Sequence, residues 1–482
     1  MSITISVLRD IDWLVAFDGE RHVYIRDADL AFAVDARHGS RILHAGPGYA
    51  GPVDEELSGR GRLVMPGLVN IHSHPSSEPL RKGITDETRS PGFHHSSLYE
   101  FLTVFDTEPA ARTASLQVAL CELLLSGCTT VTDVSMPYEG WLDTIAASGM
   151  RAVLAPVFRD ARWFTRNGHA LEYEWDEHAG GEALARAVGV IDAVQARNDS
   201  RLGAMVFPGQ IDTCTPERLQ ASFRLACERD LPWQTHASQS VAEFNEMQRR
   251  HGLSPVQLLD RLGILSERSI IAHAIFLDHH PWLHWTSRRD LGLLADSGTS
   301  VAHCPTVFSR RGIALHSFGG YVRGGINLGI GTDTYPHNML EELKTVGTCA
   351  RLIAQSVDDH DTREVFEAAT LGGARALRRD DLGRLAVGAK ADFVCVDLTH
   401  ASMRPLREPL RTLIGIAQDR AVDEVWVDGR CLVRGGTVLS MDLQASLGVL
   451  QDAQQRSLSR TRQLDWAGRS ADELAPMLLQ QR

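Results

Sequence analysis

The chain has 482 residues, enough for one large domain with a smaller companion. Its formal charge of −12 argues against nucleic acid or an anionic membrane as a main partner. No apolar run approaches the roughly 20 residues that span a bilayer, and the N-terminus lacks a secretory apolar core. The eight cysteines are scattered without a CxxC pair, so a soluble cytoplasmic enzyme with reduced thiols is expected.

Residues 1–62 alternate apolar and polar positions, as in Ile3-Thr4-Ile5-Ser6-Val7 and His22-Val23-Tyr24-Ile25, which predicts several short antiparallel strands. The apolar run Leu63-Val64-Met65-Pro66-Gly67-Leu68-Val69 then leads into Ile71-His72-Ser73-His74. Side chains on a strand alternate with period two, so His72 and His74 point the same way and can reach one metal ion. Seven further units of helix and strand follow. Thr129–Val134 and Arg151–Phe158 read as the second and third strands, and Leu202–Phe207 as the fourth. The next two end at His236 and His273, the seventh at His303 and the eighth at Asp333. Strands alternating with helical stretches require a parallel sheet, and metal-type residues at several strand ends are the geometry of a (β/α)8 barrel active site.

Strand texture returns from Gly383 through Phe393-Val394-Cys395-Val396 to Val425-Trp426-Val427-Asp428-Gly429, where Asp-Gly signals a hairpin turn. The predicted architecture is α/β: a TIM-like (β/α)8 barrel over 63–382, and a small β-sandwich domain built from the N- and C-terminal segments 1–62 and 383–445. A helical tail follows over 446–482.

With these residues in place the chain resembles the amidohydrolase superfamily over nearly its whole length. The resemblance is carried by PGLVNIHSH, by THA at 235–237 and AHA at 272–274, by HCP at 303–305 and GTD at 331–333, and by GRLAVGAKADFVCVD near the C-terminus. The branch it looks closest to holds cytosine and guanine deaminases, s-triazine hydrolases and chlorohydrolases. The resemblance implies one divalent metal, zinc first and iron or manganese as alternatives, held by His72, His74, His236 and Asp333, with His273 as a catalytic histidine. Two-metal members carry a bridging lysine at the end of the fourth strand. Here that strand ends Val206-Phe207-Pro208-Gly209, and the three lysines, Lys82, Lys344 and Lys390, all lie elsewhere, which favours one metal.

Deaminases of this branch carry a glutamate three residues after the fifth-strand histidine. This chain has Gln239, a neutral amide that can orient a substrate but cannot take a proton. In such a site the metal acidifies its water from a pKa of about 15.7 to about 7. Asp333 would hold the metal and take the water proton, His273 would bond the attacking or developing oxygen, and Gln239 would orient the scissile group. The expected activity is hydrolysis of a non-peptide C–N bond in a small cyclic or aromatic molecule, first of all deamination of an N-heterocycle. Amide, urea or carbamate cleavage is the alternative that Gln239 favours, hydrolytic dechlorination is a third outcome, and an inactive scaffold is a remote one. Trp163 and Phe164 are expected to sandwich a planar ring, with His303, His337 and Asn338 as further substrate contacts. A homo-oligomer is expected, a dimer being the commonest assembly.

Overall fold

A computed structural model describes residues 3–35, 38–315 and 317–479, so residues 480–482 of the predicted tail lie outside the described residues. The N-terminal strands are longer than expected: Thr4–Phe17 and His22–Asp35 form one antiparallel pair, joined by Gly39–Gly46. Their register shifts between Leu8 and Ile11, where Asp10 sits at φ 55°. Such a bulge bends a long strand without ending it, so the alternation reads as two strands rather than several short ones.

The apolar approach to the histidines is divided between two sheets. Arg62–Pro66 pairs with Phe393–Asp397, whereas Leu68–Ser73 is the first barrel strand. The switch falls at Gly67, where a Cβ would lie 2.1 Å from Thr129 Oγ1. The terminal sheet has nine strands. Its order runs Thr437–Val438, Arg430–Arg434, Val422–Val427, Phe393–Asp397, Arg62–Pro66, Thr4–Phe17, His22–Asp35 and Gly39–Gly46, with Glu55–Ser58 beside Thr4–Phe17. The predicted union of the two ends of the chain is therefore present. Its core packs Leu14, Leu30, Phe32, Val64, Phe393 and Trp426.

The barrel strands are Leu68–Ser73, Cys128–Ser135, Arg151–Phe158, a fourth split into Leu202–Ala204 and Phe207–Pro208, then Trp233–Ala237, Ser269–His273, Ser300–His303 and Leu328–Ile330. Bridges at Val206–Trp233 and Gln210–His236 join the fourth strand to the fifth and close the circle. Cys128–Ser135 is buried along its whole length, as a strand with helices outside and packed side chains inside must be. Arg151 locks barrel to sheet: it is 1% exposed and lies 2.7 Å from Asp392 and 3.3 Å from Asp428. In the tail, helix Leu443–Ser459 sets Leu450 and Ala453 against Leu80, Ala111 and Val118. Among the described residues no helix is long and apolar enough to cross a membrane.

Candidate active site

The first and eighth strands are tied together at their C-terminal ends. Asp333 N–H donates to the His72 carbonyl (3.0 Å), and His74 N–H donates to the Asp333 carbonyl (2.8 Å). Asn70 accepts from His72 N–H (3.1 Å) and donates to Thr332 Oγ1 (2.8 Å). Ser238, His273 and Asp333, which end or follow strands five, six and eight, have φ of 57°, 82° and 56°. Left-handed backbone is uncommon for such residues and persists only where surrounding contacts enforce it. Here it turns the chain out of the sheet at the mouth of the barrel.

Hydrogen bonds set the tautomers of three imidazoles. His72 Nδ1 donates to Gln234 Oε1 at 2.7 Å, and the Gln234 amide is itself oriented by donation from Nε2 to the Ile71 carbonyl at 3.0 Å. His74 Nδ1 donates to the Val134 carbonyl at 3.0 Å, and His236 Nδ1 to the Gly209 carbonyl at 2.5 Å. Each ring therefore turns a bare Nε2 inward. His74 and His236 Nε2 lie 3.2 Å apart, and those of His72 and His74 each lie 3.3 Å from Asp333 Oδ1. Buried His72 Nε2 has no hydrogen-bond partner. Four ligand atoms, from His72, His74, His236 and Asp333, lie within 4.8 Å of one another, the one such group among the described residues. Inward lone pairs, one carboxylate and outer hydrogen bonds that fix the rings are the donor set a divalent metal requires. Burial and then the neighbouring imidazoles push His236 well below its ordinary pKa, whereas on His74 the Asp333 carboxylate outweighs burial and raises it.

A cavity of about 290 Å³ opens above this cluster, bounded by His74, His236, His273, Gln239 and Asp333 among others. His273 stacks on His236 with ring centroids 5.4 Å apart, and burial pushes it down to about 3, so it is neutral. Gln239 lines the cavity with its Nε2 buried and unpartnered. Glu243, wholly buried on helix Val241–His251, accepts from the backbone N–H of Ser238 and Gln239. It positions the loop that carries Gln239.

Trp163 lines the cavity, its Nε1 donating to buried Asp212 at 3.0 Å. Four of the remaining expectations need correction. Phe164, next to Trp163 on strand Ala161–Phe164, lies outside the cavity and stacks under Arg166, because adjacent strand residues face opposite sides. The expected sandwich of Trp163 and Phe164 is therefore absent. His303 is buried against Phe318 rather than lining the cavity, and burial takes it down to about 3. His337 is wholly buried behind the site, its Nδ1 3.9 Å from Glu122. Asn338 caps helix Met339–Ala354, accepting from Glu341 N–H at 3.0 Å. Gln234, Gln210 and the cavity face of Arg112 escaped the sequence reading. For Gln234 a signal existed: it is a polar residue two positions before His236, on the same face of an apolar strand.

The amidohydrolase family model matches residues 63–432. The chain belongs to the amidohydrolase family. It is an enzyme of the carbon–nitrogen hydrolase kind, with a metal site formed by the four residues above. It is 29% identical over 399 residues to a 5-methylthioadenosine/S-adenosylhomocysteine deaminase from Haloarcula marismortui, a match covering 81% of this chain and 86% of that one. Among solved structures it resembles a zinc-bound adenosine deaminase from Xanthomonas campestris (TM-score 0.77, 24% identity, 94% of this chain and 98% of that one). It also resembles atrazine chlorohydrolase from Arthrobacter aurescens in complex with zinc (TM-score 0.74, 21% identity, 93% and 100%). At these identities the two structures bear on the fold alone.

Proposed function

We propose that this amidohydrolase is an aminohydrolase that releases ammonia from an amino-substituted N-heterocycle, with the adenine ring of a nucleoside as the leading candidate. The observation that carries this reading is the convergence of three bare Nε2 atoms and the Asp333 carboxylate on the floor of a small-molecule cavity. The Haloarcula deaminase supports the choice of leaving group, and the donor set of three imidazoles and one carboxylate supports zinc as the metal. A divalent ion bound there supplies Lewis acidity, bringing water close enough to ionisation to attack near neutral pH.

The chain's own groups do the rest. Asp333 takes the proton of the attacking water and returns it to the departing nitrogen, so that a C–O bond forms, a C–N bond breaks and ammonia leaves. Neutral His273 directs a ring N–H at the attacking oxygen. Gln239 donates its free Nε2–H to the substrate and holds the ring in register. Trp163 supplies an apolar face. A cytoplasmic location belongs to the same reading, supported by the eight free cysteines, and so does a homo-oligomer, the commonest form of soluble assembly.

A second reading is favoured by one observation. The unpartnered Gln239 amide can polarise a carbonyl but cannot protonate a ring nitrogen, which suits amide, urea or carbamate hydrolysis, or displacement of chloride. The deciding experiment measures ammonia release by zinc-loaded protein from adenine nucleosides, aminopyrimidines, pterins and aminotriazines, with mass spectrometry of products. Ammonia accompanied by replacement of NH by O establishes deamination. Cleavage of amide, urea or carbamate controls without ammonia from the rings moves the enzyme to the second reading.

A further inference from the structure

Trp163 reaches the cavity from a piece of chain that is not part of the barrel sheet. It belongs to a hairpin in which Ala161–Phe164 pairs with Glu172–Trp175. In that register Trp163 lies directly opposite Tyr173, so the two side chains project from one face. Both end on the same atom: Trp163 Nε1 donates to Asp212 Oδ2 at 3.0 Å, and the Tyr173 hydroxyl donates to it at 2.8 Å. Asp212 stands in the loop after the fourth barrel strand, is 0% exposed and does not itself line the cavity. Its Oδ1 is buried without a hydrogen-bond partner, and it forms no ion pair among the described residues. Arg250 donates instead to the Asp212 carbonyl at 2.7 Å and is paired with Glu246.

Holding the hairpin in place does not require this acid. The N–H groups of Asp160 and Ala161 both donate to the Thr213 carbonyl at 2.9 Å, and Asp176 N–H donates to the Asp160 carbonyl at 2.7 Å, which fastens both ends. The Arg250 guanidinium also lies over the rings of Tyr173 and Trp175, 4.2 and 4.9 Å from their centroids. A buried carboxyl oxygen left unmet costs stability. What the acid adds is direction, because one acceptor fixes where the indole N–H points and so sets the plane of the ring. Tyr99 packs edge-on against that indole at 5.3 Å, and its hydroxyl bonds Ser240 Oγ at 2.6 Å, beside Gln239. The indole plane is thereby tied to the loop that carries the substrate-orienting amide.

We propose that Asp212 is a positioning residue: acting through Trp163, it holds the cavity's aromatic wall in the plane on which a flat substrate ring stacks. The proposal rests on the reading of the substrate as a planar heterocycle, but not on which bond is cut.

The test follows the Trp163 indole in zinc-loaded protein labelled with 15N-tryptophan, its N–H resonance being the one lost in Trp163→Ala. In Asp212→Ala that resonance should move upfield and its hydrogen should exchange faster, with Asp212→Asn recovering part of both. Ring binding is read by calorimetry with inosine and uracil, flat rings that carry no exocyclic amine to lose. Stacking on an aromatic side chain predicts affinity about 5- to 100-fold weaker in Trp163→Ala. Asp212→Ala should weaken it at least about fivefold, and Asp212→Ala/Trp163→Ala should stay within about twofold of Trp163→Ala, since the acid acts only through that indole. An unmoved resonance, additive losses, or Asp212→Ala affinity within twofold of wild type would each overturn the proposal. Should Asp212→Ala fail to fold by circular dichroism, Asp212→Asn is read by the same criteria. If neither ring binds the wild type, the planar-heterocycle reading falls, and the indole resonance alone decides whether Asp212 sets the cavity wall.

Discussion

Replacing Gln234 with leucine isolates the hydrogen bond that turns a metal ligand. Gln234 and His72 are both 0% exposed, and their contact is 2.7 Å long. Leucine keeps the bulk but removes the acceptor, so His72 Nδ1–H is left buried and unmet at a cost of about 1–3 kcal/mol. The imidazole can escape that cost by moving its proton to Nε2, which removes the lone pair aimed at the metal. Metal affinity should then fall about 10- to 100-fold, as it does when an outer partner of a ligand histidine is lost. That corresponds to about 1.4–2.8 kcal/mol. Zinc affinity is read by competition with a chromophoric chelator, and melting of the metal-free protein separately reports the lost contact to the Ile71 carbonyl. Affinity within twofold of wild type would refute the reasoning, even if the melting temperature dropped.

Asp333→Asn should leave the circular dichroism spectrum unchanged while lowering kcat about 10²- to 10⁴-fold, the range for loss of a positioned acid–base group; near wild-type turnover removes Asp333 from proton transfer. Trp163→Ala should raise KM for a ring substrate, whereas Phe164→Ala, outside the cavity, should change it less than twofold. Arg151→Ala strands Asp392 and Asp428 in the contact between barrel and sheet, and urea denaturation should show a loss of about 3–5 kcal/mol. Burial, reinforced by the charge of Arg384, pushes His22 down to about 4. Between about pH 6.5 and 4 the unfolded chain therefore binds a proton that the folded one refuses, so stability falls as pH falls through that window. His22→Gln should remove roughly 3 kcal/mol of the acid loss that accumulates by pH 4; parallel stability curves for the two proteins would contradict this.

Period-two alternation made His72 and His74 legible as a pair on one strand face. Successive strand ends at His236, His273 and Asp333 made the barrel legible, because each signal lies within five or six consecutive residues. The return of strand texture near Phe393 and Val425 foretold the union of the chain's two ends for the same reason. Asn338 was legible in principle, as an N-cap before a helix with Glu341 at the third position, and was overridden by its nearness to Asp333. Only the tertiary structure decided that Trp163 faces the cavity and Phe164 does not, because that depends on where the hairpin of Ala161–Phe164 and Glu172–Trp175 sits against the barrel mouth. Only the closed barrel brought Gln234 against His72 across 162 positions, and set Arg112 and Arg159 on the wall of one cavity. Strand face and residue type are properties of a short stretch of chain. Which side chains meet, and which charges are left without partners, is set by contacts between stretches far apart in sequence.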